Sequence, residues 1–186
     1  MKTILVPVMA LLSTAAMAQG VRGAATDITN ADVLATLAKT PDLKVSDQQI
    51  RVIPINNGEY NVGVGVVHRS KTDGTGAAGA GGGVEHSEIT EVYHVISGNG
   101  TFVTGGTITG ARPVAADNPV VTVLNGPSTN GGAVQGGISR RLGPGDVVVI
   151  PPNTPHWFRE ITTDEIVYLV VRMDPHKVLP TGYGSK

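Results

Sequence analysis

The pattern of hydrophobic and polar residues changes along the chain from a helical period to a strand-like one. A capping residue at Thr29 or Asn30 predicts a short helix that runs to about Lys39, and Pro41 ends it. After residue 45 the apolar residues fall into short stretches that alternate with polar or small residues, as in half-buried strands. Segments rich in glycine and proline separate these stretches, which predicts an all-β sandwich or barrel.

The clearest alternation lies in a strand predicted over residues 59–69. One face of this strand carries Tyr60, Val62, Val64, Val66 and His68. Asn61, Gly63 and Gly65 occupy the opposite face, where the small glycines let another group approach the backbone closely.

Six further strands are predicted from the same pattern and from the turn residues that flank them. They cover residues 49–55, 91–96, 101–104, 147–150, 156–161 and 166–173. Gly98-Asn99-Gly100 predicts a hairpin between the second and the third of these. The continuous apolar run at 147–150 indicates a strand buried on both faces, and the last two strands are expected to form a final hairpin.

Two segments lack a clear periodic pattern. Residues 72–83 are rich in glycine and alanine, and we interpret them as a flexible link, with a mobile flap at the mouth of a site as the alternative. Residues 105–138, approximately, are rich in Gly, Pro and Asn, with one strand-like piece at 120–124. This second segment is interpreted as an insertion that hangs from the barrel.

Composition narrows the class of protein. The chain has 186 residues, which favours a single domain. It has no cysteine, which excludes disulfides and thiolate metal sites. The formal net charge of -1 supplies no basic surface for nucleic acid. Any metal site must therefore use nitrogen and oxygen ligands.

The first residues have the pattern of a secretory signal peptide. Residues 4–12 are apolar apart from Pro7, and Ala16-Met17-Ala18 supplies the small residues that a signal peptidase requires. We expect cleavage after Ala18 and a periplasmic or secreted mature protein with no membrane contact; an anchor or a buried helix is the alternative. The expected organisation is a signal peptide at 1–18, a segment with the short helix at 19–44, a barrel domain at 45–175 and a C-terminal tail at 176–186.

Two stretches share the spacing of their glycines and ligand-type residues with a known pair of motifs. They are His86-x4-Glu91-x6-Gly98 and Gly145-x5-Pro151-Pro152-Asn153-x2-His156. In this order, and with predicted strands around them, they resemble the two motifs of the cupin superfamily over roughly residues 45–173. The resemblance implies a cupin-type double-stranded β-helix, or jelly-roll barrel, preceded by the short helix. It also implies a small-molecule ligand or substrate and a homodimer.

Three positions depart from the family's motifs. Val84 stands where the first histidine usually lies, Asn153 replaces a glycine, and Glu160 replaces a final asparagine. The Asn153 change is mild, because asparagine tolerates the left-handed backbone conformation best after glycine. The resemblance then implies that three of the family's four usual metal ligands remain, namely His86, Glu91 and His156.

The three remaining ligands limit which metals the site can bind. Two neutral imidazoles and one carboxylate suit Fe(II), with Mn, Ni, Zn or Co as alternatives, and they leave positions for water, substrate or dioxygen. A divalent metal in such a set can act as a Lewis acid or lower the pKa of bound water. The alternative is a metal-free barrel in which the three polar side chains bond one another.

Four more residues are candidates for an additional ligand or for the cavity lining: His68, Glu85, Tyr93 and Trp157. His68 could approach the metal if its strand face lines the barrel, whereas a surface position is the alternative. Strand alternation directs Glu85 away from His86. Tyr93 shares a strand face with Glu91, and Trp157 follows His156; packing in the core is the alternative for both.

Three functions are compatible with these residues. The first is a metalloenzyme, such as a dioxygenase or an isomerase, that acts on a small oxygenated organic molecule. The second is a non-catalytic barrel that binds a sugar, an organic acid or the metal itself, and the third is a structural or assembly role. No residue can be assigned as a catalytic acid or base. The chain has neither a Gly-x-Ser-x-Gly elbow nor a dinucleotide fingerprint, and the fold does not choose among the three functions.

Overall fold

The computed structural model describes residues 25–72 and 81–184. The proposed signal peptide at 1–18, and residues 73–80 of the glycine-alanine segment, lie outside the described residues. The helix is α1 (Asn30–Leu37), and the strands are β1 (Val45–Ile55), β2 (Tyr60–Thr72), β3 (Val84–His86), β4 (Thr90–Ser97), β5 (Gly100–Thr104), β6 (Thr107–Ile108), β7 (Arg112–Pro113), β8 (Ser128–Asn130), β9 (Val134–Gln135), β10 (Ile138–Leu142), β11 (Val147–Ile150) and β12 (His156–Asp174).

Ten of the twelve strands form two antiparallel sheets that share the long strand β12, and β6 and β9 pair with each other in a separate two-stranded sheet. The C-terminal half of β12 lies between β2 and β4, which extends to a sheet in the order β1-β2-β12-β4-β11. The N-terminal half lies between β5 and β3, in the order β10-β5-β12-β3-β8-β7. This is the all-β jelly-roll barrel that the resemblance to the cupin superfamily implies, and the short helix α1 lies outside it.

The hairpin predicted around Gly98-Asn99-Gly100 is wrong. β4 and β5 do not pair with each other; both run antiparallel to β12, one after the other. Gly98 has a φ of 81°, and a side chain there would collide with the carbonyl oxygen of Glu165. The glycines therefore bend the chain from one sheet to the other, and bends of this kind form the corners where strands change sheets.

The final hairpin predicted over residues 156–173 is also wrong, because β12 is one continuous strand. It bends opposite the β4–β5 corner, where the amide of Asn99 donates to Thr163 Oγ1 at 2.9 Å and the amide of Thr162 donates to the Asn99 carbonyl at 3.1 Å. These bonds pair backbone groups at the corner, where the regular ladders of β12 with β5 and β4 are interrupted.

The interior of the barrel holds one large apolar cluster. Its members are Val67, Tyr93, Val95, Phe102, Leu142, Val148, Ile150, Phe158, Ile161, Ile166, Tyr168 and Val170. The prediction that residues 147–150 are buried on both faces is wrong: Val148 and Ile150 enter this cluster, whereas Val147 is 60% and Val149 61% exposed. β11 pairs only with β4 and has no layer over its outer face within the described residues.

The segment at 105–138 does not hang from the barrel as an insertion, because parts of it pair with and pack against the barrel strands. Its strand β8 pairs with β3 and extends the second sheet, and its Ile108 and Val134 pack with Trp157. The strand-like piece predicted at 120–124 is wrong, because Val120–Asn125 forms a π-helical turn. Pro119 enters this turn with a helical φ of −54°.

The predicted helix and the C-terminal tail close two further surfaces of the barrel. Thr29 and Asp32 form a capping box at the start of α1, and Val33 packs against Val66 and Val167 on the first sheet. The tail returns to the barrel, where Leu179 is buried.

Among residues 25–72 and 81–184 we find no helix with the length and apolar character needed to cross a bilayer.

Candidate metal centre

Three ligand-type side chains converge inside the barrel, and we call them the His–Glu–His cluster: His86 of β3, Glu91 of β4 and His156 of β12. One ligand atom from each lies within 4.8 Å of the others, and all three residues are buried. Glu91 Oε2 is 3.6 Å from His86 Nε2 and 3.3 Å from His156 Nε2. The closed sheet thus brings His156 next to Glu91 and His86, which precede it in the sequence by 65 and 70 residues.

Strand pairing explains how the cluster is held. His156 opens β12 directly opposite Val84 of β3, and Glu91 of β4 lies between its partners Ile150 and Arg172. The amide of Asn153 donates to the His86 carbonyl at 2.8 Å, so the turn before β12 is tied to β3. The φ of Asn153 is 59°, which confirms that asparagine occupies the left-handed conformation expected at the family's glycine position.

Both imidazoles have their second nitrogen engaged. His156 Nδ1 lies 3.0 Å from the carbonyl oxygen of Thr154, which can only accept, so Nδ1 carries the hydrogen. His86 Nδ1 lies 2.8 Å from Ser128 Oγ, and that hydroxyl donates its own hydrogen to the Gly126 carbonyl at 2.8 Å. Each Nε2 is therefore left with a lone pair directed into the cluster, as in metal-binding histidines.

Burial and charge favour the protonation states that a metal requires. Burial lowers the pKa of His86 to about 4, so the imidazole is neutral near pH 7. Burial alone would raise the pKa of Glu91, but His86, His156 and Arg172 outweigh it and hold that pKa well below its usual range. The cluster thus offers an ionised carboxylate at Glu91 and a neutral imidazole at His86.

A buried arginine lies behind the carboxylate. Arg172 Nε is 3.5 Å from Glu91 Oε1, the oxygen that faces away from the histidines. The guanidinium also donates to Asp47 at 2.6 and 2.8 Å, to Gln49 Oε1 at 2.7 Å and to Asn125 Oδ1 at 2.7 Å. Arg172 is fully buried, and this network fixes its charge beside Glu91.

Arg172 was not identified from the sequence, although two glycines on β2 indicated that some group lies close to that strand. Gly63 and Gly65 on β2 were predicted to allow a close approach, and a side chain at Gly65 would lie 2.8 Å from Arg172 Nη1. The approach is confirmed, but a glycine pair does not reveal which distant residue fills the space.

Tyr93 completes the polar surroundings of the cluster. Its hydroxyl lies 3.2 Å from Glu91 Oε2, to which it donates, and 3.2 Å from His156 Nε2. Burial, and next the charge of Glu91, raise the pKa of Tyr93 well above its usual value, so the side chain is a neutral phenol in the absence of a metal. Of the four additional candidates, Tyr93 is the one that reaches the cluster.

The other three candidates lie elsewhere. His68 faces outward from β2, where its Nε2 lies 2.8 Å from Glu165, because the valine stripe it shares is on the outer face of the strand. Glu85 lines a surface groove with Ser87 and Thr129, as strand alternation requires. Trp157 points away from His156 into the cluster with Val103 and donates to the Gly81 carbonyl at 2.9 Å.

The donor set fits a divalent metal. Two imidazole nitrogens with bonded partners on their far sides, and one ionised carboxylate, match the ligand types that first-row metals take in proteins. The ligand atoms are 3.3–3.6 Å apart where measured from Glu91, a spacing that lets one ion reach all three. An ion at this position would also compensate the buried negative charge of Glu91.

One family of known proteins matches the chain, and several solved structures are similar to it at low sequence identity. No curated relative matches the chain by sequence. Similar solved structures include BH2720 from Bacillus halodurans (13% identity, 87% of this chain and 89% of that chain, TM-score 0.42). The DMSP lyase DddQ from Ruegeria pomeroyi has 16% identity, with 77% of this chain and 54% of that chain covered and a TM-score of 0.40. Peruvianin-I, a cysteine peptidase from Thevetia peruviana latex, has 12% identity, with 80% of this chain and 76% of that chain covered and a TM-score of 0.40. The family described as Cupin matches residues 84–183, more than half of the chain, and this segment includes the whole His–Glu–His cluster. The chain therefore belongs to the cupin superfamily.

Proposed function

We propose that this cupin binds one divalent metal ion through His86 Nε2, Glu91 Oε2 and His156 Nε2, and uses it to act on a small oxygenated organic molecule. The observation that carries the proposal is the convergence of three buried ligand atoms within 4.8 Å, with the far nitrogen of each histidine already bonded. Fe, Mn, Ni, Zn and Co all suit this ligand set. A dioxygenase or an isomerase is the reaction class that we favour.

The metal would supply Lewis acidity or an activated bound water to an oxygen atom of the substrate. The chain's own residues would hold and orient the ion. Ser128 and the Thr154 carbonyl fix the two rings, and Arg172 holds the far oxygen of Glu91 so that the near oxygen faces the ion. The apolar cluster, which includes Tyr93 beside the proposed ion, would limit access of water to it.

A non-catalytic binding barrel is the second candidate, and one observation favours it. Tyr93 donates to Glu91 Oε2 at 3.2 Å, and its hydroxyl oxygen also lies 3.2 Å from His156 Nε2, so the carboxylate and the phenol have protein partners in a metal-free barrel. Such a barrel would hold a sugar or an organic acid without turning it over.

The two candidates differ in what they do to a ligand. Metal-loaded protein would be screened against small sugars, hydroxy acids and keto acids, with thermal stability and product formation measured in air and under nitrogen. Consumption of a compound by wild-type protein, and its loss in Glu91→Gln, would support an enzyme. A ligand that raises the melting temperature without any product would support the binding barrel.

We propose that two copies of the chain pair through the exposed face of β4 and β11, which we call the outer face: Val92, His94, Val147 and Val149. Val147 lies opposite His94, and Val149 lies opposite Val92, so the four side chains form one patch. Val147 and Val149, each about 60% exposed, lie beside Val92 in one contiguous apolar patch, and such patches mark protein–protein interaction sites.

We propose further that the chain is exported and cleaved after Ala18. The support is the apolar stretch at 4–12 followed by Ala16-Met17-Ala18. N-terminal sequencing of protein from the periplasmic or culture fraction is expected to begin at Gln19. An intact N-terminus in protein recovered from the cytoplasm would contradict export.

A further inference from the structure

We propose that Tyr93 is a fourth protein ligand, and that its phenolic oxygen binds the metal in place of the histidine that Val84 replaces. This inference rests on the proposed metal site, and it changes the predicted ligand set from two nitrogens and one oxygen to two nitrogens and two oxygens. A phenolate oxygen differs from an imidazole in charge and in spectroscopic properties, so the proposal can be tested separately from metal binding itself.

The distances around Tyr93 match the edges of a coordination polyhedron. Its hydroxyl lies 3.2 Å from Glu91 Oε2 and 3.2 Å from His156 Nε2, and Glu91 Oε2 is 3.3 and 3.6 Å from the two histidine nitrogens. Tetrahedral ligands at about 2.1 Å from an ion are separated by about 3.4 Å. Four of the six separations among these atoms are close to this value, which supports one ion that reaches the phenolic oxygen together with the cluster. Expansion to five ligands would leave a position for water or substrate.

The position of Tyr93 is set by its strand and by its ring contacts. It follows Glu91 by two residues on β4, which places both side chains on the inner face. Its ring packs against Tyr168 at 4.5 Å and against Phe102 at 5.8 Å between centroids. The ring is therefore held, and its hydroxyl faces the cluster without a further conformational cost.

The hydroxyl of Tyr93 has no described use other than the cluster. Within residues 25–72 and 81–184, its hydrogen bonds are those to Glu91 and His156, both of which are proposed ligands. The neighbouring Tyr168 differs, because its hydroxyl accepts from Arg69 Nε at 2.9 Å. Two buried tyrosines in contact thus have different partners, and only Tyr93 is directed at the proposed ion.

Val84 explains why a fourth donor is needed from another strand. It lies two residues before His86 on β3 and so shares the inner face with it, but its isopropyl group cannot bind a metal. An oxygen from β4 fills the coordination position that β3 no longer supplies. Binding of the ion would replace the phenolic hydrogen, so one proton is released to solvent for each ion that Tyr93 binds.

The test uses iron and two matched variants of the full mature protein. Fe(III) bound to a phenolate gives a charge-transfer band in the visible region that imidazole and carboxylate ligands do not produce. Protein is loaded with Fe(II), oxidised in air, and its iron content and visible spectrum are measured for wild type, Tyr93→Phe and Tyr168→Phe. Circular dichroism and melting temperature show that each variant is folded.

We expect the band in wild type and in Tyr168→Phe, and its loss in Tyr93→Phe at equal iron content. Competition with a chelator for Zn(II) should show an affinity at least about tenfold lower in Tyr93→Phe, as expected when a metal site loses a supporting group. Stoichiometric iron in wild type without the band, or a band that persists in Tyr93→Phe, would overturn the role of Tyr93 while the metal site stands. Absence of metal from folded wild type would overturn both proposals.

Discussion

At the scale of single residues, the candidate centre depends on how the charge of Glu91 is compensated. Its far oxygen faces Arg172 at 3.5 Å, and its near oxygen faces His86, His156 and Tyr93. Because Glu91 is only 2% exposed, its ionised form depends on these neighbours and not on water. Arg172 is therefore as much a part of the centre as the ligands are, although it contacts no proposed metal position.

We predict that Arg172→Met destabilises the chelator-treated protein by about 3–5 kcal/mol, because it leaves the buried Glu91 carboxylate and Asp47 without their cation. Urea denaturation monitored by tryptophan fluorescence measures this change in the free energy of unfolding. Arg141→Met, at an exposed position on β10, is the matched control and should change it by less than about 0.5 kcal/mol. Equal effects of the two substitutions would contradict a structural role for the Arg172 charge.

The residue scale also shows what the sequence could and could not predict about the centre. His86, Glu91 and His156 were found because the spacing within each of the two short motifs is local and resembles that of the cupin motifs. Arg172 and Ser128 were missed, because their distance from the cluster is set by β12 and β8 and no local pattern marks it. His68 was considered as a ligand because alternation gives two strand faces without saying which is the inner one.

At the scale of elements, the segment at 105–138 contributes to the centre through β8 and the turn before it. Ser128 bonds His86 Nδ1, and Asn125 accepts from Arg172 Nε at 2.7 Å. The segment thus contacts one proposed metal ligand, His86, and the arginine that lies beside another proposed ligand, Glu91. Loss of these contacts is expected to lower the affinity for the metal ion more than it lowers the stability of the fold.

Ser128→Ala is predicted to lower metal affinity about 10–100-fold, because the His86 ring loses the partner that sets its orientation and its tautomer. Competition against a chromogenic chelator measures the dissociation constant. Thr129→Ala is the matched control, since the adjacent side chain lines the surface groove with Glu85, and it should leave the affinity within about twofold. An unchanged affinity in folded Ser128→Ala would show that the segment has no part in the centre.

At this scale, most long strands were predicted correctly, whereas the connection between β4 and β5 was not. Alternation located most of the long strands, but Gly98-Asn99-Gly100 was interpreted as a reversal when it is a bend between sheets. Glycine permits a positive φ in both cases, so the residue types are the same. The difference is whether the next strand pairs with its neighbour or with β12, and that is decided by the whole barrel.

At the scale of the whole molecule, the barrel leaves an apolar surface beside the centre. Val147 and Val149 were expected to be buried on both faces of their strand, and instead they form the outer face with Val92 and His94. The continuous apolar run that misled the prediction is accounted for if a second copy covers this face in solution.

Val147→Lys is predicted to shift the protein from dimer to monomer, because a lysine would be buried without a partner in the pairing surface. Size-exclusion chromatography with light scattering gives the mass over a range of protein concentrations. Ile138→Lys is the matched control: Ile138 is 69% exposed but lies on β10 in the other sheet, so the dimer should persist. A monomeric wild type, or a dimeric Val147→Lys, would exclude pairing through the outer face.

The most direct test of the whole account is the metal content of mature protein made without a histidine tag. Elemental mass spectrometry would compare wild type, His86→Ala and His156→Ala, with His176→Ala as a control on the exposed tail. The account predicts about one divalent ion per chain in wild type and in the control, and loss of the ion in both cluster variants. No ion in folded wild type after reconstitution with Fe, Mn, Ni, Zn and Co would contradict it and leave the metal-free binding barrel as the better explanation.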